Sequence, residues 1–387
     1  MKILFTGGGT AGHILPIIAI VREIKKVQES RGKTLGKKEI RFFYLGPKDE
    51  FGKTLLFQEG IKVKEILAGK IRRYFSLSGF FKNIIDILFK IPIGFFQSFF
   101  YIFFLAPDLI FSKGGYGSYP VVLAGRVLSV PIFLHESDSI PGLSNRSLSK
   151  FALEIFVSFP VEEMKYFPRQ KMISVGNPIR QEILEGKKEE AQKLFNLTME
   201  KPIILILGGS QGAQRINDRI LEVLPELLEN FEILHQVGKR NYDQIKSEVK
   251  LILGEGLKKY YHFFPFLNEE QLKSAFAACD IIVSRAGSGV IFEIAALGKP
   301  AFLIPLAESS QGHQIKNAYL YAQTGACSVL EEANFTPRFF LEKLKYLISQ
   351  QPLELEKMKK AAKEFAKPKA GRMIAEYIIE YLTPLEI

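Results

Sequence analysis

Three loops in the first half of the chain carry residues whose types and spacing suit binding of an anionic ligand and acid–base chemistry beside it. Thr6-Gly7-Gly8-Gly9-Thr10-Ala11-Gly12-His13 follows the apolar run Ile3-Leu4-Phe5. It precedes Pro16 and an apolar series at Ile17, Ile20, Val21 and Ile24 with helical spacing, so the order predicts strand, glycine turn, helix. Glycines let backbone N–H groups approach a ligand closely. A helix start offers free N–H donors and the positive end of a dipole to a phosphate or a developing oxyanion. His13 closes the turn, where an imidazole can act as acid or base near neutral pH. Lys113-Gly114-Gly115-Tyr116-Gly117-Ser118 follows a second strand candidate. His135-Glu136-Ser137-Asp138, with Pro141-Gly142-Leu143-Ser144-Asn145-Arg146, follows a third. Open α/β sheets bind ligands at the carboxyl ends of their strands, so three loops converging on one edge predict a site.

The second half repeats the theme. At an offset of 200 residues, Gly208-Gly209-Ser210-Gln211-Gly212-Ala213 lies over Gly8–His13, and Ile203, Ile204, Leu205, Ile220, Leu221 and Leu224 over Ile3, Leu4, Phe5, Ile20, Val21 and Ile24. Ala213 replaces His13, so proton chemistry is expected of the first copy alone. Ser284-Arg285-Ala286-Gly287-Ser288-Gly289 precedes a helix expected to carry Glu293 in its first turn. There a carboxylate either complements the helix dipole or accepts hydrogen bonds from two sugar hydroxyls. Gln311-Gly312-His313-Gln314 opens another loop, with Asn317 one turn later, while His235 and His262 read as structural. Gly7–Gly12 also matches the G-x-G-x-x-G pattern of dinucleotide sites. The second-strand candidate, however, ends at Leu45-Gly46-Pro47-Lys48 with no acid for a ribose, and no Gly-Lys-Ser/Thr phosphate loop is present.

Strands must position these loops. The runs Lys2–Thr6, Ile40–Leu45, Leu109–Ser112, Pro131–His135 and Ile155–Ser158 read as strands in the first half. Ile203–Leu207, Glu232–Gln236, Tyr261–Phe264, Ile281–Ser284 and Ala301–Ile304 do so in the second. Helical patterns cover Pro16–Lys26, Ala213–Leu228, Glu270–Ala278 and Val290–Leu297, and Glu354–Tyr381 reads as two helices broken near Pro368. Alternating strands and helices predict parallel sheets covered on both faces. The fold class expected is therefore α/β, with two doubly wound, Rossmann-like domains facing across a cleft. Their seam is placed near Val175–Pro178, giving 1–178, 179–361 and a C-terminal segment, 362–387, returning to the first domain.

With 387 residues, 47% of them apolar, the chain is long enough for two cores. Its net charge of +11 favours nucleic acid, an anionic membrane or phosphorylated substrates. The two cysteines, Cys279 and Cys327, read as buried free thiols rather than a disulfide framework or zinc site. The N-terminus enters a strand without a signal-peptide pattern, so the expected location is cytoplasmic, with any membrane contact from that side.

Phe80–Leu105 stands apart. Phe81, Ile84, Ile85, Leu88 and Ile91 share one helical face, Lys82, Asp86 and Lys90 another, and Phe95, Phe96, Phe99, Phe100, Phe103 and Phe104 follow. A membrane span needs about 20 apolar residues, and the run Ile91–Ala106, with Pro92 and Gly94 near one end, falls short. A pair of interfacial helices with lysines near anionic lipid is favoured over packing of these aromatics into the core.

The motifs Gly-Gly-Gly-Thr-Ala-Gly-His (7–13), Lys-Gly-Gly-Tyr (113–116), His-Glu-Ser-Asp with Pro-Gly-Leu-Ser-Asn (135–145), Val-Gly-Asn-Pro-Ile-Arg (175–180), Gly-Gly-Ser-Gln-Gly-Ala (208–213), Ser-Arg-Ala-Gly (284–287) and His-Gln-Ile-Lys-Asn-Ala (313–318) run in one order over most of the chain. Together they resemble the MurG glycosyltransferases of peptidoglycan synthesis. The resemblance implies the GT-B fold and inverting transfer of N-acetylglucosamine from UDP-GlcNAc to the 4-hydroxyl of N-acetylmuramic acid in undecaprenyl-pyrophosphoryl-MurNAc-pentapeptide (lipid I), giving lipid II. It implies no site-bound metal or other cofactor and no nucleic-acid partner. It also implies work at the cytoplasmic face of the inner membrane, on an anionic surface met through Phe80–Leu105.

By the same resemblance, Arg180, Ser210, Leu267, Ser288, Gly289, Val290, Ile291, Phe292, Glu293 and Gln314 would bind the donor nucleotide. Glu293 would take the ribose and Ser210 the diphosphate. Thr10, Ala11 and Gly12 would line the cleft and Asp138 would contact the sugar. His13 would be the base, with Glu136 the second choice, and Gly114, Gly115 and Tyr116 would form the acceptor pocket. Two departures stand out. Asp138 replaces the family's usual asparagine and cannot donate a hydrogen bond as a carboxylate. Ser288-Gly289-Val290 replaces Ala-Leu/Met-Thr. The rival readings are a UDP-GlcNAc 2-epimerase, another lipid-acceptor GT-B enzyme, and a non-catalytic nucleotide-sugar scaffold. The aromatic stretch and Tyr116 argue against the epimerase, and His13 argues against the scaffold.

Overall fold

The computed structural model describes residues 1–30, 39–70, 72, 77–209 and 212–383. The chain forms two compact units, Met1–Arg180 with Pro368–Ile387, and Gln181–Lys367. The return to the first unit thus falls at Pro368. The helix Pro352–Phe365 lies wholly in the second unit, and a division at 362 would cut it.

The first unit is built on a seven-stranded sheet of β1 (Lys2–Thr6), β2 (Arg41–Gly46), β3 (Lys62–Glu65), β4 (Leu109–Ser112), β5 (Ile132–Glu136), β6 (Glu154–Val157) and β7 (Met172–Ser174). The order is β3-β2-β1-β4-β5-β6-β7. Every pairing is parallel, with Thr6 beside Ser112 where β1 and β4 end. The central strands are apolar on both faces because helices cover both. One face packs Ile17, Ile20, Val21 and Ile24 with Ile374, Ile378 and Ile379 of the C-terminal helix Ala370–Leu382. Tyr377 of that helix donates to Glu154 at 2.8 Å.

The second unit has six parallel strands, β8 (Ile203–Leu207), β9 (Glu232–Gln236), β10 (Tyr261–Phe264), β11 (Ile281–Ser284), β12 (Ala301–Leu303) and β13 (Cys327–Val329). Their order is β10-β9-β8-β11-β12-β13. Helices again cover both faces, leaving two cores in this unit. Cys279 and Cys327 are buried and unpaired with each other.

The ten expected strands are present within a residue or so, but β3, β7 and β13 were not expected. All three are outer strands, short and only partly buried, and Lys-Val-Lys-Glu of β3 alternates with solvent. Helix boundaries differ more. The first helix runs Ala11–Ser30 with Pro16 inside it, so His13 sits in its first turn rather than before it. The helical pattern at Ala213–Leu228 divides into Gln214–Leu221 and Leu224–Asn230, the second opened by Pro225.

The aromatic stretch is one helix rather than a pair. Leu77–Ile85 passes through a π turn, Asp86–Lys90, into Ile91–Leu105. The turn lies just before Pro92, whose ring and missing N–H would disturb a regular α ladder. Counting only from Ile91 therefore understated its length. The helical part Gly79–Leu105 has 27 residues and mean hydropathy 1.7, long and apolar enough to cross a membrane by those measures. Its aromatics do not form core: Phe80, Phe81, Phe96, Phe100, Phe103 and Phe104 are exposed. Only a narrow stripe, Gly94, Ser98 and Ile102, is buried on the last segment. A Cβ on Gly94 would stand 1.9 Å from the Leu67 carbonyl oxygen, so only glycine lets the helix come this close.

Candidate active site

In the first unit, the loops after β1, β4 and β5 meet at one sheet edge. Thr10 is exposed, Ala11 and His13 are half-buried, and Gly12 is exposed. His13 Nδ1 lies 2.8 Å from Thr10 Oγ1, and the His13 and Ile14 N–H groups both donate to the Thr10 carbonyl. The ring stands between two glycines: a Cβ on Gly8 would meet Nδ1 at 3.0 Å, and one on Gly115 would meet Nε2 at 3.0 Å. Gly114 and Gly115 have φ of +84° and +82°, so this turn also demands glycine for its backbone. Tyr116 is half-buried, with its hydroxyl 3.6 Å from a Gly9 Cβ position. Gly115 thus lies beside the His13 ring, and the Tyr116 hydroxyl beside Gly9.

Burial, then the charge of Lys113, lowers the His13 pKa to about 4, while Asp138 opposes the shift. The imidazole is therefore neutral at pH 7. If Nδ1–H donates to Thr10 Oγ1, the Nε2 lone pair faces the Gly114-Gly115 turn and can accept a proton.

Glu136 occupies a different environment. It is buried, with Oε1 accepting from the Asp138 N–H at 3.0 Å and Oε2 from the Gly142 N–H at 3.2 Å and Asn145 Nδ2 at 2.9 Å. Burial, then the neighbouring Asp138 charge, raises its pKa to about 7. These bonds make it the brace of the loop from Glu136 to Asn145, which holds Asp138 half-buried at the edge. Lys113 is buried too, donating to Ser137 Oγ, which donates in turn to Asn177 Oδ1 at 3.2 Å. Burial lowers the Lys113 pKa to about 8 against the pull of Glu136 and Asp138. Its place in the glycine motif did not reveal this buried relay.

In the second unit the loops after β8, β10, β11 and β12 share the carboxyl edge. Gly209 is described, but Ser210 lies outside the described residues. Gln236, at the end of β9, donates to the Gly209 carbonyl at 3.3 Å and accepts the Leu267 N–H at 3.0 Å, tying two loops together. It was missed in the sequence, where it was one of three polar residues in a five-residue strand and nothing set it apart from Glu232 and His235. The Leu267 side chain is core.

The segment Ser288–Glu293 also divides. Its helix begins at Ser288, not Val290, because Gly287 is extended and ends the preceding loop. Glu293 is therefore the sixth residue and outside the first turn, which removes the simple dipole role expected for it. By helical period Ile291 and Phe292 turn inward and are buried, while Gly289, Val290 and Glu293 are half-buried. The expected donor contacts of Leu267, Ile291 and Phe292 thus cannot come from exposed side chains.

Gln314 Oε1 accepts from the Leu306 N–H at 3.0 Å, and buried Asn317 donates to the Ala286 carbonyl at 3.4 Å. Arg180 is buried at the end of the first unit. His235 is structural, between Tyr261 and Asn217, and His262 sits against Glu232.

Comparison with known proteins adds an independent line. The family models "Glycosyltransferase family 28 N-terminal domain" and "Glycosyltransferase family 28 C-terminal domain" match residues 3–157 and 203–373. The chain is 38% identical, over 380 residues, to a Bacillus cereus protein named UDP-N-acetylglucosamine--N-acetylmuramyl-(pentapeptide) pyrophosphoryl-undecaprenol N-acetylglucosamine transferase 2, covering 98% of this chain and 99% of that one. A crystal structure of Acinetobacter baumannii MurG aligns with TM-score 0.70 and 24% identity, over 97% and 98% of the two chains. A UDP-GlcNAc 2-epimerase from Neisseria meningitidis bound to UDP-GlcNAc aligns with TM-score 0.64 and 16% identity, over 98% and 100%. At these identities the two structures support the shared fold alone.

Proposed function

The chain belongs to glycosyltransferase family 28, and we propose that it moves N-acetylglucosamine from UDP-GlcNAc to the 4-hydroxyl of the N-acetylmuramyl group of lipid I, forming lipid II. Similarity to the named transferases along nearly the full chain supports that choice over the epimerase. The observation that carries the chemistry is the neutral His13, with Nδ1 on Thr10 and Nε2 beside the Gly114-Gly115 turn. His13 Nε2 takes the acceptor hydroxyl proton as that oxygen bonds to the sugar C1. The C1–O bond to the diphosphate breaks, UDP leaves with the electron pair, and the anomeric centre inverts. Glu136 braces the loop that presents Asp138 to the sugar. In the second unit, Glu293 takes the ribose hydroxyls. The glycine turn and the helix starts at Ser288 and His313 face the diphosphate, while Gln314 closes that loop. Arg180 completes the donor contacts. No step calls for a metal.

The long apolar helix is read as an in-plane membrane contact. Its stripe Gly94, Ser98 and Ile102 ties it lengthwise to the first unit, leaving the aromatics to enter the headgroup boundary. Lys82 and Lys90 then lie near anionic lipid of the cytoplasmic leaflet.

The test supplies UDP-GlcNAc with and without lipid I and follows UDP release and lipid II. Release only with lipid I supports the reading. UDP-GlcNAc turnover without lipid I, giving free epimerised sugar, would replace it with the epimerase.

A further inference from the structure

Arg285, the residue that leaves β11, is pinned from two sides. Its Nη2 meets Glu332 Oε1 at 2.5 Å, and its Nη1 donates to the Ile304 carbonyl at 3.2 Å, just past β12. The other oxygen of the same carboxylate, Glu332 Oε2, takes Arg215 Nη1 at 3.0 Å. That nitrogen also reaches Glu308 Oε1 at 2.8 Å. Arg215 is the second residue of the helix Gln214–Leu221, which follows the glycine turn after β8. Glu308 lies in the loop between β12 and the helix His313–Ala322, and Glu332 opens a short 3₁₀ turn, Glu332–Asn334, after β13. The chain Glu308–Arg215–Glu332–Arg285 therefore laces four loops on one edge of the second sheet. Its inner half is sheltered: Glu332 and Arg285 are 11% and 14% exposed, against 63% and 59% for Arg215 and Glu308. A sheltered charge pair resists screening by salt and holds its geometry better than an exposed one.

We propose that Glu332 is a positioning residue for the diphosphate end of the donor nucleotide. By holding Arg215 and Arg285 on one carboxylate, it fixes the spacing between the helix start at Gln214 and the helix start at Ser288. Both present backbone N–H groups, and one diphosphate can use both sets only at a set spacing. The proposal rests on the donor-site reading of this edge given above.

The test measures Kd for UDP and steady-state kinetics with UDP-GlcNAc and lipid I. Glu332→Gln is expected to raise the UDP Kd and the UDP-GlcNAc KM ~10-fold, with kcat held within ~2-fold and the lipid I KM unchanged, the pattern of lost ground-state binding. Arg215→Gln, at an exposed position, removes one arm and is expected to raise the UDP Kd ~3-fold. Adding Glu332→Gln to it should then have a smaller effect than in the wild type, as for residues acting through one network. Unchanged UDP affinity in both single variants would overturn the proposal. So would a lowered Tm or kcat in Glu332→Gln with KM and Kd unmoved. If the wild-type protein itself binds no uridine nucleotide, the donor-site reading fails. If the wild type binds and both variants bind equally well, only the role of Glu332 fails.

Discussion

His13 and Glu136 lie in the same loop cluster yet are pushed in opposite directions, and this separates their roles by experiment. The His13 pKa is lowered to about 4, so its imidazole accepts a proton at any pH above that value and is protonated only below it. With His13 as base, kcat/KM should stay flat from neutrality down to about pH 5 and fall only near 4. Glu136 is shifted upward, to about 7, so as base it would make kcat/KM fall on acidification through neutrality. A pH–rate profile on the free enzyme reads the difference directly. His13→Ala is expected to lower turnover by ~10²–10⁴ while leaving the UDP-GlcNAc Kd unchanged; full turnover in the variant would remove His13 from the mechanism. Gly115→Ala tests the setting of the ring. Its Cβ would press on Gly8 and on His13 Nε2 at a backbone φ of +82°. A stability loss of about 1–3 kcal/mol with a fall in kcat is expected, measured by thermal unfolding and kinetics.

At the scale of elements, the central strands were legible because buried parallel strands are apolar runs leading into glycine loops, as Ile203–Leu207 and the Ile-Ile-Val start of Ile281–Ser284 are. The outer strands were not, because β3 mixes lysine and glutamate with its one valine, and half-solvated edges carry no such run. The site was legible where it is written in consecutive residues, as in Gly7–His13. It was hidden where partners are far apart in sequence: Glu332 reaches Arg215 across 117 positions, and no local period records that. Pro92 misled because a π turn let the helix continue through it.

Two predictions concern that helix. Gly94→Ala places a Cβ against the Leu67 carbonyl and should cost about 2 kcal/mol or more in stability. An unchanged Tm would mean the helix is not seated on the first unit as described. Phe100→Gln with Phe104→Gln leaves the buried stripe intact and should weaken binding to anionic vesicles by ~10-fold or more, given ~1.5–3 kcal/mol for burying one large apolar side chain. UDP-GlcNAc binding should not change. Equal partitioning of variant and parent onto vesicles would show that the aromatics do not meet lipid.

At the scale of the whole molecule, the chain divides its labour. The first unit holds the imidazole, the paired glycine turn and the apolar helix; the second holds the laced loops expected to grip the nucleotide. The net charge of +11 suits a protein whose two proposed substrates are both diphosphates. Neither unit alone accounts for transfer, so the reaction itself is the sharpest test. UDP-GlcNAc labelled in the sugar is incubated with the protein in vesicles, with lipid I present or absent. The account predicts label in lipid II, one UDP released per sugar moved, and almost no turnover without lipid I. Label appearing in free sugar at the same rate whether or not lipid I is present would contradict it.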